Sequence, residues 1–188
     1  MINLFVITFL WISSSAVAAN ESNGNSLTVG KLPIDTLPTD FSQLNFKKVG
    51  SAKFSVLFWD IYNSTLYTKL GSYSHKNSPD SLLFEIEYLK DIKTNDLVDR
   101  TVQQWKYLDI PESEYSKFIP TLNAIWPDIV SGDKLSMLVL NNQSVFYFND
   151  IKVGSIEEKE FGELFLSIWL SPKTSQKKLR NQLLGEIE

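Results

Sequence analysis

The chain has 188 residues, with 22 acidic against 18 basic side chains, a formal net charge of −4 and no cysteine. That balance lacks the basic excess a nucleic-acid surface needs. The lack of cysteine excludes a disulfide framework, a thiolate metal site and a lipidated cysteine tether. A single histidine, His75, lies in a Gly/Ser/Asn/Pro-rich loop; it cannot build a multi-histidine zinc site and reads as an exposed loop residue.

Residues 4–12 form a short apolar run, followed by three serines and then Ala16-Val17-Ala18-Ala19. An apolar core ending in small residues reads as a secretory signal cut after Ala18 or Ala19. The run is well short of the ~20 residues a bilayer span needs. The expected organisation is therefore a signal peptide over 1–19, an extended, flexible leader over 20–43 and one domain over 44–188. Removing 1–19 takes no charged side chain away, so the mature protein stays mildly acidic. The expected location is the periplasm, with no stable membrane insertion after cleavage.

The domain is organised around residues 46–67, dense in β-branched and aromatic side chains and interrupted only by Gly50. Period-two alternation predicts strands, with Phe54, Val56 and Phe58 on one face and Lys53, Ser55 and Leu57 on the other. The run exceeds one ordinary strand, which predicts bends at Gly50 and near Trp59-Asp60. Leu82, Phe84, Ile86 and Tyr88 alternate with Glu85 and Glu87, giving a strand with one wet face. The two glutamates resemble a paired-carboxylate site only on paper. Such pairs need a cleft that drives their pKa values apart, and a solvated face is the reading adopted.

From Thr94 the period becomes helical. Thr94 is the expected N-cap, and Leu97, Val98, Thr101, Val102, Trp105 and Leu108 form one stripe that Ile110-Pro111 closes. A second helical pattern runs from Tyr115 to Trp126 and contains Pro120, which must kink it or start a new helix. A turn at Ser131-Gly132-Asp133 leads into three short strands over 135–140, 144–149 and 151–156, with Asn-rich corners. The strongest helical pattern is 157–170, with Phe161, Leu164, Phe165, Ile168 and Trp169 on one side. A last helix over 174–184 places Leu179 and Leu183 inward and Lys177, Lys178 and Arg180 outward, and Gly185 stops it. The order predicts an α+β domain, an antiparallel sheet with a layer of helices on one face.

Gly50, residues 58–67 and 87–92, Ser131-Gly132-Asp133, residues 148–156 and 161–170, and Leu183-Leu184-Gly185 appear in an order and spacing that resembles the exported bacterial branch of the chalcone isomerase-like proteins. The resemblance covers roughly 46–185. It implies an open-faced β-sandwich with a pocket between sheet and helices. In the plant enzymes that pocket closes a flavanone ring, and in related proteins it holds a fatty acid. Both uses rely on an arginine on the strand after the glycine turn and on a tyrosine nearby. Here the arginine position falls near Ala52 or Lys53, so the arginine is absent. Lys53 could supply a positive charge, though not a planar fork.

Tyr115-Ser116-Lys117 is similar to the enzyme's tyrosine segment but falls on a different helix, so no role is carried across. The resemblance and the aromatic content together lead to an exported, non-catalytic protein binding a fatty acid or other apolar small molecule. Lys53, Tyr62 and Tyr67 are its candidate ligand-binding residues, and no catalytic residue, metal or cofactor is assigned. Two alternatives stay open. One is an isomerase or lipid-modifying enzyme using the same pocket, with tyrosine as acid and lysine as electrostatic stabiliser. The other is an accessory protein without a small ligand.

Overall fold

A computed structural model describes residues 44–74, 81–140 and 143–187. The expected signal segment, the leader and His75 lie outside the described residues. Six strands form one sheet in the order β1 to β6, each antiparallel to its neighbour in sequence. They are β1 (Lys47–Val56), β2 (Trp59–Thr68), β3 (Ser81–Tyr88), β4 (Lys134–Leu140), β5 (Gln143–Phe148) and β6 (Ile151–Ile156). Between β3 and β4 come α1 (Thr94–Tyr107), α2 (Glu112–Tyr115), a single 3-10 turn (Ser116–Phe118) and α3 (Ile119–Ile125). After β6 follow α4 (Lys159–Leu170) and α5 (Lys177–Leu183). This is the α+β open-faced arrangement expected. No helix among the described residues is long and apolar enough to cross a membrane.

Register assigns the two faces of the sheet. Tyr62, Ser64, Leu66 and Thr68 of β2 stand opposite Tyr88, Ile86, Phe84 and Leu82 of β3, which in turn meet Leu135, Met137 and Val139 of β4. Most of these join one apolar core with the buried stripes of the helices. The alternate positions, including Asn63, Thr65, Tyr67, Glu85, Glu87 and Lys134, form the outer face. There Leu83, Leu138, Val145 and Tyr147 make a second, smaller cluster, on which Leu44 and Phe46 pack. The apolar residues on both sides of β4 are thus explained: each side has its own core.

The inner face is a mosaic of rings. Phe165 lies 5.7 Å from Phe146, Phe161 and Trp126 and 5.1 Å from Trp169, and Trp169 is 4.8 Å from Phe84. Trp105 of α1 stacks on Tyr115 and donates its indole N–H to the Leu164 carbonyl of α4 at 3.0 Å. Such pairs add about 0.5–1.5 kcal/mol each beyond the area they bury. Glycine is required where backbone meets backbone: a Cβ on Gly50 would lie 2.1 Å from the Gln182 carbonyl oxygen of α5. Gly50 therefore seats the last helix against the first strand.

Local expectations change at Phe58, Thr94 and Arg180, and the alternative left open at Pro120 resolves to a new helix. The chain reverses at Leu57-Phe58 between β1 and β2, two residues ahead of the expected bend, so Phe58 does not point inward with Phe54 but is exposed. Thr94 is the first helical residue and caps nothing with its own side chain. Instead Asp128, 34 positions on, accepts its backbone N–H at 2.9 Å and its hydroxyl at 3.1 Å. The second helical pattern is broken into α2, the 3-10 turn and α3, with Pro120 in the first turn of α3, where its missing N–H is harmless. Arg180 turns back rather than outward, donating Nε–H to the Leu170 carbonyl at 2.9 Å and so closing the C-terminus of α4.

Candidate functional site

The sheet–helix interface is where a pocket is expected, and Tyr62 is the one candidate residue that reaches it. Its ring stacks on Phe54 at 5.2 Å and meets the edge of Tyr88 at 6.1 Å. Its hydroxyl accepts the Trp169 indole N–H at 2.9 Å, tying β2 to α4. Burial pushes the Tyr62 phenol up to about 12, against the opposing effect of the Trp169 hydrogen bond. Burial also pushes Tyr88 up. Both phenols are neutral near pH 7, so neither serves as a phenolate base there.

Both phenols are packed among the rings and aliphatic side chains of the inner core. An apolar void of about 10 Å3 lies among Phe84, Ile86, Leu135, Met137, Phe146 and Phe165. That is room for about one water, against the ~300–1,000 Å3 of an ordinary ligand pocket. One polar group is left over: the indole N–H of buried Trp126 has no hydrogen-bond partner among the described residues. Trp126 is in ring contact with Phe146 and Phe165, both of which line the void.

Lys53 and Tyr67 lie on the opposite side of the sheet from Tyr62. Lys53 stands opposite Asn63 on the outer face, and its ammonium pairs with Asp60 at 2.9 Å. Asp60 also accepts the Ser55 hydroxyl at 2.6 Å, and Ser55 and Lys53 together lower its pKa. Ala52, the other position aligned with the family's arginine, faces inward and is buried without charge. Strand β1 therefore sends no cation from these positions into the interface.

Tyr67 borders an open cleft of about 350 Å3 on the outer face, with Asn63, Thr65, Glu85, Glu87, Gly132 and Lys134. Burial raises the Tyr67 phenol, and the adjacent Glu85 carboxylate raises it further. Lys134 lies 3.7 Å from Glu85 and 3.3 Å from Asp150. Burial works against its charge, but those carboxylates outweigh it and its pKa is raised. Lys134 offsets only part of the negative charge of Glu85, Glu87 and Asp150, and the cleft opens to solvent, where Glu87 is exposed and Glu85 half-buried. Tyr115 is buried against Trp105, and Lys117 pairs with Glu160 at 3.3 Å. No group of three or more His, Cys, Asp or Glu side chains among the described residues is placed to hold a metal.

The profile of the chalcone isomerase-like family matches residues 31–185. The chain belongs to the chalcone isomerase-like family. An uncharacterized protein of Haemophilus influenzae is 23% identical over 144 residues, covering 77% of this chain and 70% of that one. Among solved structures, the crystal structure of a fatty-acid binding protein from Arabidopsis thaliana is similar in fold. Its TM-score is 0.59 at 11% identity, over 76% of this chain and 88% of that one. In this member of the chalcone isomerase-like family, the three sequence-derived residues do not converge: Tyr62 is in the interface, and Lys53 and Tyr67 are outside it. Trp169 and Trp126, read from the sequence only as core aromatics, also bring polar N–H groups into the interface. A tryptophan in a helical stripe gives no sign of where its N–H points, and partners 107 positions apart, such as Trp169 and Tyr62, leave no local pattern.

Proposed function

We propose that this chain is an exported, non-catalytic chalcone isomerase-like protein whose sheet–helix interface is a packed core with no resident ligand, so that it acts through its surface. The filled interface around Tyr62 and Trp169 carries the reading. Reaction at that site needs a fixed cation to hold developing negative charge, and preorganised donors of this kind are worth about 3–4 kcal/mol. The β1 positions offer a buried alanine and an outward lysine already paired with Asp60. Chalcone cyclisation by the purified protein is expected at the uncatalysed rate; cyclisation well above it would overturn the reading. Export to the periplasm is supported by the apolar run over 4–12 and the alanines before Asn20. Intact mass of the cell-derived protein should give a chain starting at Ala19 or Asn20, and a retained Met1 in the membrane fraction would refute export.

A second reading, an apolar acid such as a fatty acid entering between sheet and helices, is favoured by the unpartnered N–H of Trp126, whose ring contacts two residues that line the void. The Arabidopsis structure, named for fatty-acid binding, shares the fold. In this reading Met137 and the phenylalanines around the void move aside, and Trp126 donates to the carboxylate. Calorimetric titration with palmitate separates the two. No heat beyond dilution supports the packed interior, whereas saturable binding that is lost in Trp126→Phe supports the second reading.

A further inference from the structure

The β1–β2 hairpin ends in three consecutive exposed large apolar side chains: Leu57 is 87% exposed, Phe58 98% and Trp59 61%. Leu57 also holds a left-handed backbone, φ 55°. Two-residue hairpin turns favour Asn, Asp or Gly at such a position. A leucine there stabilises neither the turn nor the core, and contiguous exposed apolar groups of this kind mark contact sites. We propose that this tip is a membrane-contact site, with Leu57, Phe58 and Trp59 entering the interfacial layer of a lipid bilayer and holding the protein there peripherally.

Shape and size select lipid over a protein partner. The tip is convex and narrow, and three such side chains offer roughly 500 Å2. A stable protein interface needs about 800 Å2 from each partner. A bilayer requires no matching surface, and tryptophan and phenylalanine suit the headgroup–acyl boundary. The neighbouring charges do not oppose entry. Lys53 is paired with Asp60 at 2.9 Å, and the Lys90 ammonium sits 4.0 Å over the Trp59 ring. A lysine in that position keeps its head at the aqueous edge while its stem covers apolar surface. The proposal stands apart from whether the interior takes a ligand.

The chain has no cysteine, so Phe58→Cys accepts a single environment-sensitive bimane label, and Glu163→Cys on the exposed side of α4 gives a reference. With vesicles of phosphatidylcholine containing a quarter phosphatidylglycerol, the label at 58 should shift to the blue and brighten, and the label at 163 should not. Adding Leu57→Ser to the Phe58→Cys chain should require about tenfold more lipid for the same response, as expected for losing one buried leucine. An unshifted label at 58 on protein that pellets with the vesicles would overturn the proposal, because binding would then run through another part. A shift that tracks protein concentration without vesicles would overturn it in favour of contact between copies.

Discussion

Leu57 is the residue whose local conformation conflicts most with its type. A left-handed backbone costs an L-residue about 1–2 kcal/mol, and its exposed side chain recovers nothing by packing. Leu57→Asn should therefore raise stability by about 1 kcal/mol, read as a later midpoint in urea. A midpoint unchanged or lowered would show that Leu57 makes contacts which the exposed tip does not reveal. Gly50 is the reverse case, since a methyl group there meets the backbone carbonyls of Gln182 and Leu183 at 2.1 and 2.7 Å. Backbone cannot give way as a side-chain end does, so Gly50→Ala should destabilise by about 1–3 kcal/mol. It should loosen α5 first, seen as faster amide exchange over Leu179–Leu183. The sequence predicts a bend between two strands at Gly50, but β1 runs through it with only a register shift beside it; its role as the seat of a helix leaves no local signal, because Gln182 is 132 positions away.

Among elements, α4 shows the closest agreement between pattern and structure: the stripe read over 157–170 contains Phe161, Phe165, Ile168 and Trp169, all buried. Trp169→Ala should destabilise the domain by about 3–5 kcal/mol, the range for truncating a buried aromatic. Glu163→Ala, on the exposed side of the same helix, should be nearly silent in the same denaturation series. Helix α1 departs from its expected local cap, because Asp128 takes the role across the fold. Lys93 and the Thr94 hydrogen bonds hold the Asp128 pKa down to about 2. A carboxylate lowered on folding contributes stability that is present above its unfolded value near 3.9 and is lost as pH falls toward 2. Asp128→Asn should flatten the stability profile between about pH 4 and pH 2; a profile identical to that of the natural protein would remove Asp128 from the cap. The strands were readable because alternation is a local property. The hairpin reversal was missed because Leu57-Phe58 carries no turn residue, and the alternation runs on through it.

For the whole molecule, sequence order was enough for the sheet-and-helix arrangement but not for what fills the space between the layers. Side chains that line a pocket and side chains that fill one are the same Phe, Tyr and Trp. Only three-dimensional packing separates them, and here the void among Phe84, Met137, Phe146 and Phe165 is about 10 Å3. The same ambiguity placed Tyr62 and Tyr67 in one site, although their odd spacing on β2 puts them on opposite faces. Burial of neutral Tyr62 and Tyr88 also sets an alkaline limit. Both pKa values are raised, so their contribution is complete below the unfolded value near 10 and declines as pH climbs toward about 12. The central proposal is that this interior is packed and takes no fatty acid. Native mass spectrometry of the protein purified without refolding tests it directly: the account predicts the mass of the bare polypeptide, and a stoichiometric adduct with the mass of a fatty acid would contradict it.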